Sequence, residues 1–124
     1  MNNNIQYIET SWFKKDLKKL IKRFRTLKDD LKVLQINQIE LLHIFEIDNG
    51  GTFELRGYGN PNYIIYKIKK IACKSLKGKG MKSGLRLIYA FNQKSFQISL
   101  LEIYYKGDKE NADYDRIKKF LLKI

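Results

Sequence analysis

Lys67 and Lys69 stand two residues apart in a run rich in Ile and Tyr, Tyr63 to Cys73, and Arg86 opens a second such run, Leu85 to Asn92. A period of two puts both lysines on one face of a strand, with Ile64, Tyr66 and Ile68 on the other. Clustered cations disfavour each other's protonation, so one such lysine can serve as a base. An arginine keeps its charge under ordinary conditions and suits a clamp on a transition-state phosphate. The plainer alternative for the two lysines is an exposed strand face on which they guard an edge against pairing.

The charge pattern around these residues favours the first view. No Asp or Glu lies between Glu54 and Glu102, a window holding Arg56, Lys67, Lys69, Lys70, Lys74, Lys77, Lys79, Lys82, Arg86 and Lys94. Ten of the net twelve positive charges therefore sit in one central segment, while both ends are nearly balanced. A one-sign block raises a local positive field and attracts polyanions, which makes nucleic acid the expected partner. A lysine-rich surface without function is the alternative.

Other chemistries find little material. One cysteine (Cys73) and one histidine (His43) supply no metal cluster, so no metal or other cofactor is expected. His43 falls in a helical segment, where a lone histidine is usually structural or solvent-exposed. The glycine-rich stretch from Lys77 to Gly84 lacks the spacing of a P-loop. A single thiol makes no internal disulfide, no apolar run approaches a bilayer span, and Met1 to Asn4 do not read as a signal peptide. A cytoplasmic protein with no membrane partner is the expectation.

The elements that must position these residues can be read along the chain. With 124 residues, 44% hydrophobic, there is apolar material for one domain over 1–124 and one core. Ile5 to Glu9 alternates as a short strand. Thr10 or Ser11 then caps a helix whose stripe is Phe13, Leu17, Leu20, Ile21 and Phe24. Thr26 with Asp29 reads as a capping-box variant that starts a second helix, closed by Asn49-Gly50-Gly51. Three strands follow, at Tyr63 to Cys73, Leu85 to Asn92 and Phe96 to Tyr105, with a turn at Asn92 to Ser95 and a mobile basic loop before Gly84. Asp113 to Ile124 is a terminal amphipathic helix with Ile117, Phe120, Leu121 and Ile124 on one side. The order is strand, two-helix hairpin, three further strands of an antiparallel-rich sheet, helix: an α+β fold. The segment from Asn49 to Asn62 has no assigned role.

Three stretches in order resemble the RelE/ParE superfamily of toxin–antitoxin toxins, closest to the RelE and HigB branches. They are Leu55-Arg56-Gly57 followed by Tyr66-Lys67-Ile68-Lys69; Lys77 through Tyr89; and Leu101 through Asn111. The resemblance implies a RelE-like fold and a ribosome-dependent endoribonuclease that cuts mRNA without metal. In that chemistry the substrate's own 2′-hydroxyl attacks the adjacent phosphate, leaving a 2′,3′-cyclic phosphate and a free 5′-hydroxyl. By the same resemblance Lys67, Lys69 and Arg86 match basic positions that RelE-type toxins use. The C-terminal basic position falls on Lys106 or Lys109, with Lys109 assigned to the reaction and Lys106 to RNA binding. The family's late tyrosine falls on Tyr114, one residue out of step.

Arg56, Lys74, Lys77, Lys79 and Lys82 are the further expected contacts to ribosomal or messenger backbone, which are salt-sensitive and sequence-blind. Tyr89, Tyr104 and Tyr105 are candidates for stacking on unpaired bases, set against ordinary half-buried packing. The implied partners are the ribosome, mRNA and a cognate antitoxin protein. Two other functions compete: a ParE-like toxin that binds gyrase and has no RNase chemistry, and a non-catalytic RNA- or ribosome-binding module.

Overall fold

The computed structural model describes residues 4–123, so the expectations for Met1 to Asn3 and for Ile124 lie outside the described residues. β1 (Gln6–Glu9) leads directly into α1 (Ser11–Ile21), because the Thr10 hydroxyl oxygen accepts the Phe13 N–H at 3.2 Å and caps the helix. α1 buries Phe13 and Leu20, the apolar stripe read from the sequence, and turns at Phe24 into α2 (Leu27–Leu34).

The expected Thr26–Asp29 box does not form. Thr26 is itself helical in conformation, and its hydroxyl donates instead to the Asp30 carboxylate at 2.8 Å. Asp30 is the buried acid and Asp29 the exposed one. Beyond Leu34 the helix widens into a π-helical segment, Gln35–Glu40, and closes with α3 (Leu41–His43). The apolar residues of this stretch in the sequence, Leu27, Leu31, Leu34, Leu41, Leu42 and Phe45, are irregularly spaced for an α-helix, and the wider turn explains it. Leu34 and Ile39 are five apart, and the wider turn keeps Ile39 in the core.

The sheet has five strands, one more than expected, in the order β1-β5-β4-β3-β2. The additional strand is β2 (Thr52–Glu54), which lies in the unassigned segment and pairs antiparallel with β3 (Ile64–Ile68). β3 is shorter than its run of β-formers. Past Ile68 the chain leaves the ladder, and Ile71 and Cys73 are buried. β4 (Leu85–Asn92) and β5 (Gln97–Tyr105) form the long central hairpin, with the Asn92 side chain accepting the N–H groups of Lys94 and Ser95 in its turn. β1 runs parallel to β5 but pairs only with Gln97 to Leu100. The uncovered half of β5 is protected by side chains: Ile103 N–H donates to Asp16, the Leu101 carbonyl accepts from Arg116, and Arg116 pairs with Asp16 at 2.6 Å.

Each face of the sheet is covered. α1 and α2 pack on Leu87, Tyr89, Phe91, Ile98, Leu100 and Ile103. α4 (Tyr114–Leu122), capped by the Asp113 carboxylate on Arg116 N–H, packs on Ile65, Ile88, Ala90 and Leu101 through Ile117 and Phe120. The second, smaller core depends on few residues. Ile88→Ala, at a position 0% exposed, should therefore lower the unfolding free energy in urea melts by about 2–5 kcal/mol. Ile36→Ala, on the outer helical surface at 63% exposed, should leave it within about 0.5 kcal/mol.

Candidate functional site

The α4 face of the sheet carries two cross-strand rows at the end away from the β4–β5 turn. In one row Arg86 of β4 lies opposite Tyr104 of β5. In the other, Lys67 of β3 lies opposite Ile88, which lies opposite Glu102. Cross-strand pairing fixes these neighbours, so three strands deliver four polar side chains, Lys67, Arg86, Glu102 and Tyr104, to one patch beside the start of α4.

Tyr104 is the floor of this patch, 5% exposed. The Lys67 ammonium stands 5.7 Å from its ring centroid and the Lys109 ammonium 5.1 Å. Lys109 is ion-paired with Glu102, whose other oxygen accepts the Asp113 N–H at 2.8 Å. Arg86 is held in place from its own end, since Nη1 donates to the carbonyls of Lys69 and Leu85, each at 3.1 Å. Burial raises the Tyr104 phenol above its ordinary value, Glu102 adds to the rise, and Arg86 and Lys109 oppose it. The phenol keeps its proton throughout the physiological range.

Of the residues picked out in the sequence, Lys67, Arg86 and Lys109 meet here. Lys69 lies beside them on the β2 side, next to Phe53, the residue opposite Lys67. β3 ends before it, and its ammonium lies 5.1 Å from the Phe53 ring on β2, while its carbonyl holds Arg86. Tyr114 stacks on Tyr58 with ring centroids 4.6 Å apart. Arg56, Lys74, Lys77, Lys79, Lys82 and Lys106 are all exposed. The loop lysines lie in the connection between β3 and β4, whose base is pinned: the Ser83 hydroxyl donates to the Ile71 carbonyl, and Ser75 bonds Thr26. Lys106 joins that end through its N–H to the Gly84 carbonyl. Gly84 has φ +86°, and a Cβ there would meet the Tyr105 ring at 3.1 Å, so the entry to β4 requires glycine.

Sequence reasoning missed Glu102 and gave Tyr104 only as a stacking candidate. The available signal for Glu102 was that it closes the acid-free window.

The opposite face holds a different polar cluster. His43 Nε2 bonds the Tyr89 hydroxyl at 2.8 Å and the imidazole stacks on Phe91 at 4.0 Å. Tyr7 donates to Glu40 at 2.9 Å. Burial lowers His43 from 6.5 to about 4. No group of three or more His, Cys, Asp or Glu side chains among the described residues could hold a metal ion, and no described helix is long and apolar enough to cross a membrane.

No protein-family model and no curated protein matches the chain. Among solved structures it is similar to a chain of the archaeal RelE–RelB complex from Pyrococcus horikoshii OT3, at 17% identity and a TM-score of 0.49, covering 83% of this chain and 96% of that one.

The His43 shift has a fixed sign. Between pH 6.5 and about 4 the unfolded chain binds a proton that the folded chain does not. The contribution of neutral His43 is thus intact above pH 6.5 and is lost as pH falls toward 4. Urea midpoints taken from pH 7 to 4 should fall more steeply for the parent chain than for His43→Phe. Parallel slopes would assign the acid sensitivity to the carboxylates.

Proposed function

We propose that this chain is a RelE-type toxin of a type II toxin–antitoxin system, a ribosome-dependent endoribonuclease that cuts mRNA without metal and so blocks translation. The observation that carries the reading is the meeting of Lys67, Arg86 and Lys109 around Tyr104, with Glu102, the carboxylate beside them, already engaged by Lys109 and Asp113 N–H. Such a patch is suited to a single phosphate, and the exposed loop lysines beyond it to the flanking backbone.

In the reaction, the 2′-hydroxyl oxygen bonds to phosphorus and the bond from phosphorus to the 5′-oxygen breaks. The 2′ proton passes to a base, for which Lys67 is the nearer of the two strand lysines to the patch. The departing 5′-oxygen takes a proton, and the products are a 2′,3′-cyclic phosphate and a 5′-hydroxyl. Arg86 stabilises the charge that builds on the phosphorane, and Lys109 adds to it. Tyr114 remains the resemblance-based candidate for the proton donor.

The antitoxin reading also has a surface. A groove of about 400 Å³ between α1 and α2 has an apolar floor at Leu17, Ile21 and Leu31 and a rim of Lys14, Lys18, Lys28 and Lys32. Its charge and shape suit an acidic amphipathic segment of an antitoxin, with leucine-like anchors in the floor and carboxylates on the rim.

Two measurements test these readings. In an in vitro translation reaction followed by primer extension, the parent chain should cut the message and Arg86→Ala should cut it about 100-fold more slowly or worse, with unchanged circular dichroism. A parent chain that binds ribosomes and never cuts, and whose expression alone causes no growth defect, would leave a plain RNA-binding module. In the second, Lys18→Glu with Lys28→Glu should slow association of the cognate antitoxin by about 10-fold or more at low salt, the range electrostatic steering supplies. Unchanged association would place the antitoxin elsewhere.

A further inference from the structure

Two buried side-chain polar atoms among the described residues lack a hydrogen-bond partner, Gln38 Oε1 and the Tyr104 hydroxyl. Gln38 still donates its amide nitrogen to the Lys70 carbonyl. Tyr104 has no such second bond. The contrast with the opposite face is sharp, because Tyr89 there bonds His43 and Tyr7 bonds Glu40. A buried polar group left unmade is costly and calls for a reason.

The surroundings of Tyr104 say what is missing. Lys67 and Lys109 stand over its ring and Arg86 faces it across the strands. All three are hydrogen-bond donors with no acceptor to offer. Glu102, the acceptor of the group, is engaged by Lys109 and by Asp113 N–H. The phenol is thus a fourth donor among three cationic ones, and the piece that completes the set is an acceptor-rich anion from outside. The Lys109 side chain over the ring is 41% exposed, so the patch opens to solvent on that side.

We propose that Tyr104 is a catalytic residue whose hydroxyl donates a hydrogen bond to a non-bridging oxygen of the scissile phosphate. This rests on the RNA-cleaving reading above and adds to it a donor set on β5, inside the sheet, where no loop closure is needed to orient it. The phenol moves no proton. It stays neutral and contributes where negative charge grows, with Arg86 on the same phosphoryl group. Burial of the phenol keeps it protonated for that task.

Tyr104→Phe removes the oxygen and nothing else. Because that oxygen has no partner in the folded chain, the variant should melt at the parent temperature or above it. Its single-turnover cleavage of ribosome-bound message should fall about 100-fold, as for the loss of one preorganised donor. Cleavage at the parent rate would overturn the proposal. So would a lower melting temperature, which would show that the hydroxyl has a structural partner such as a fixed water. If the parent chain itself does not cut, the RNase reading fails, and titration with inorganic phosphate, followed by amide shifts, decides on Tyr104 alone. Phosphate affinity weakened about 10-fold or more in the variant supports the anion contact, since bonds to charged groups carry effects of that size. Equal affinity overturns it.

Discussion

A one-residue bulge in β5 governs the rest of the structure. Tyr89 lies opposite Leu100, but Ile88 lies opposite Glu102, so Leu101 is the extra residue. Before the bulge the even-numbered residues of β5, Ile98 and Leu100, face α1 and α2. After it the parity is reversed. Ile103 faces those helices, and Leu101 and Tyr104 face α4. A strand without the bulge would carry Glu102 and Tyr104 into the larger apolar core, where the carboxylate would have neither Lys109 nor Asp113 to meet. The bulge thus fills the α4 core with Leu101 and, in the same step, brings an acid and a phenol beside Lys67 and Arg86.

This accounts for what could and could not be read from the sequence. The long strands, the first helix, its Thr10 cap and the last helix follow from periodicity and capping chemistry, which are local. Lys67 and Arg86 were legible because charge excess and strand parity are also local. Glu102 and Tyr104 were not, because simple alternation from Ile98 assigns them to the wrong face, and only pairing with β4 corrects it. β2 escaped for another reason. Three residues, Thr-Phe-Glu, between a glycine pair and Arg56-Gly57 carry too little pattern to outweigh their flanks. The π-helical segment was visible only as irregular spacing after Leu34, a symptom that periodicity alone does not diagnose.

The two faces of the sheet use the same residue types to opposite ends. On the α1–α2 side two tyrosines have hydrogen-bond partners: His43 for Tyr89, and the Glu40 carboxylate, which accepts from Tyr7. Tyr66 and Tyr89 stack at 5.3 Å, His43 completes the aromatic layer, and burial raises both of these phenols. In that layer the buried Tyr89 hydroxyl has its partner in His43. On the α4 side the phenol is ringed by cations and its own bonding is left incomplete. Satisfied polar groups stabilise a core, whereas convergent donors without an acceptor define a site for something negatively charged.

Glu102 shows how a carboxylate can sit inside a cationic site without cancelling it. One oxygen takes the Asp113 N–H, which fixes the start of α4 against β5, and the other takes Lys109. At 2% exposed, an unpaired Glu102 would be strongly unfavourable, so its neutralisation is a condition of folding. Pairing with Lys109 leaves Lys67 and Arg86 uncompensated, and these are the two cations on the central strands. Lys109 is half-exposed, so it can stay paired with Glu102 while its open side faces an arriving anion. The acid therefore ties the helix to the sheet while leaving the patch positive.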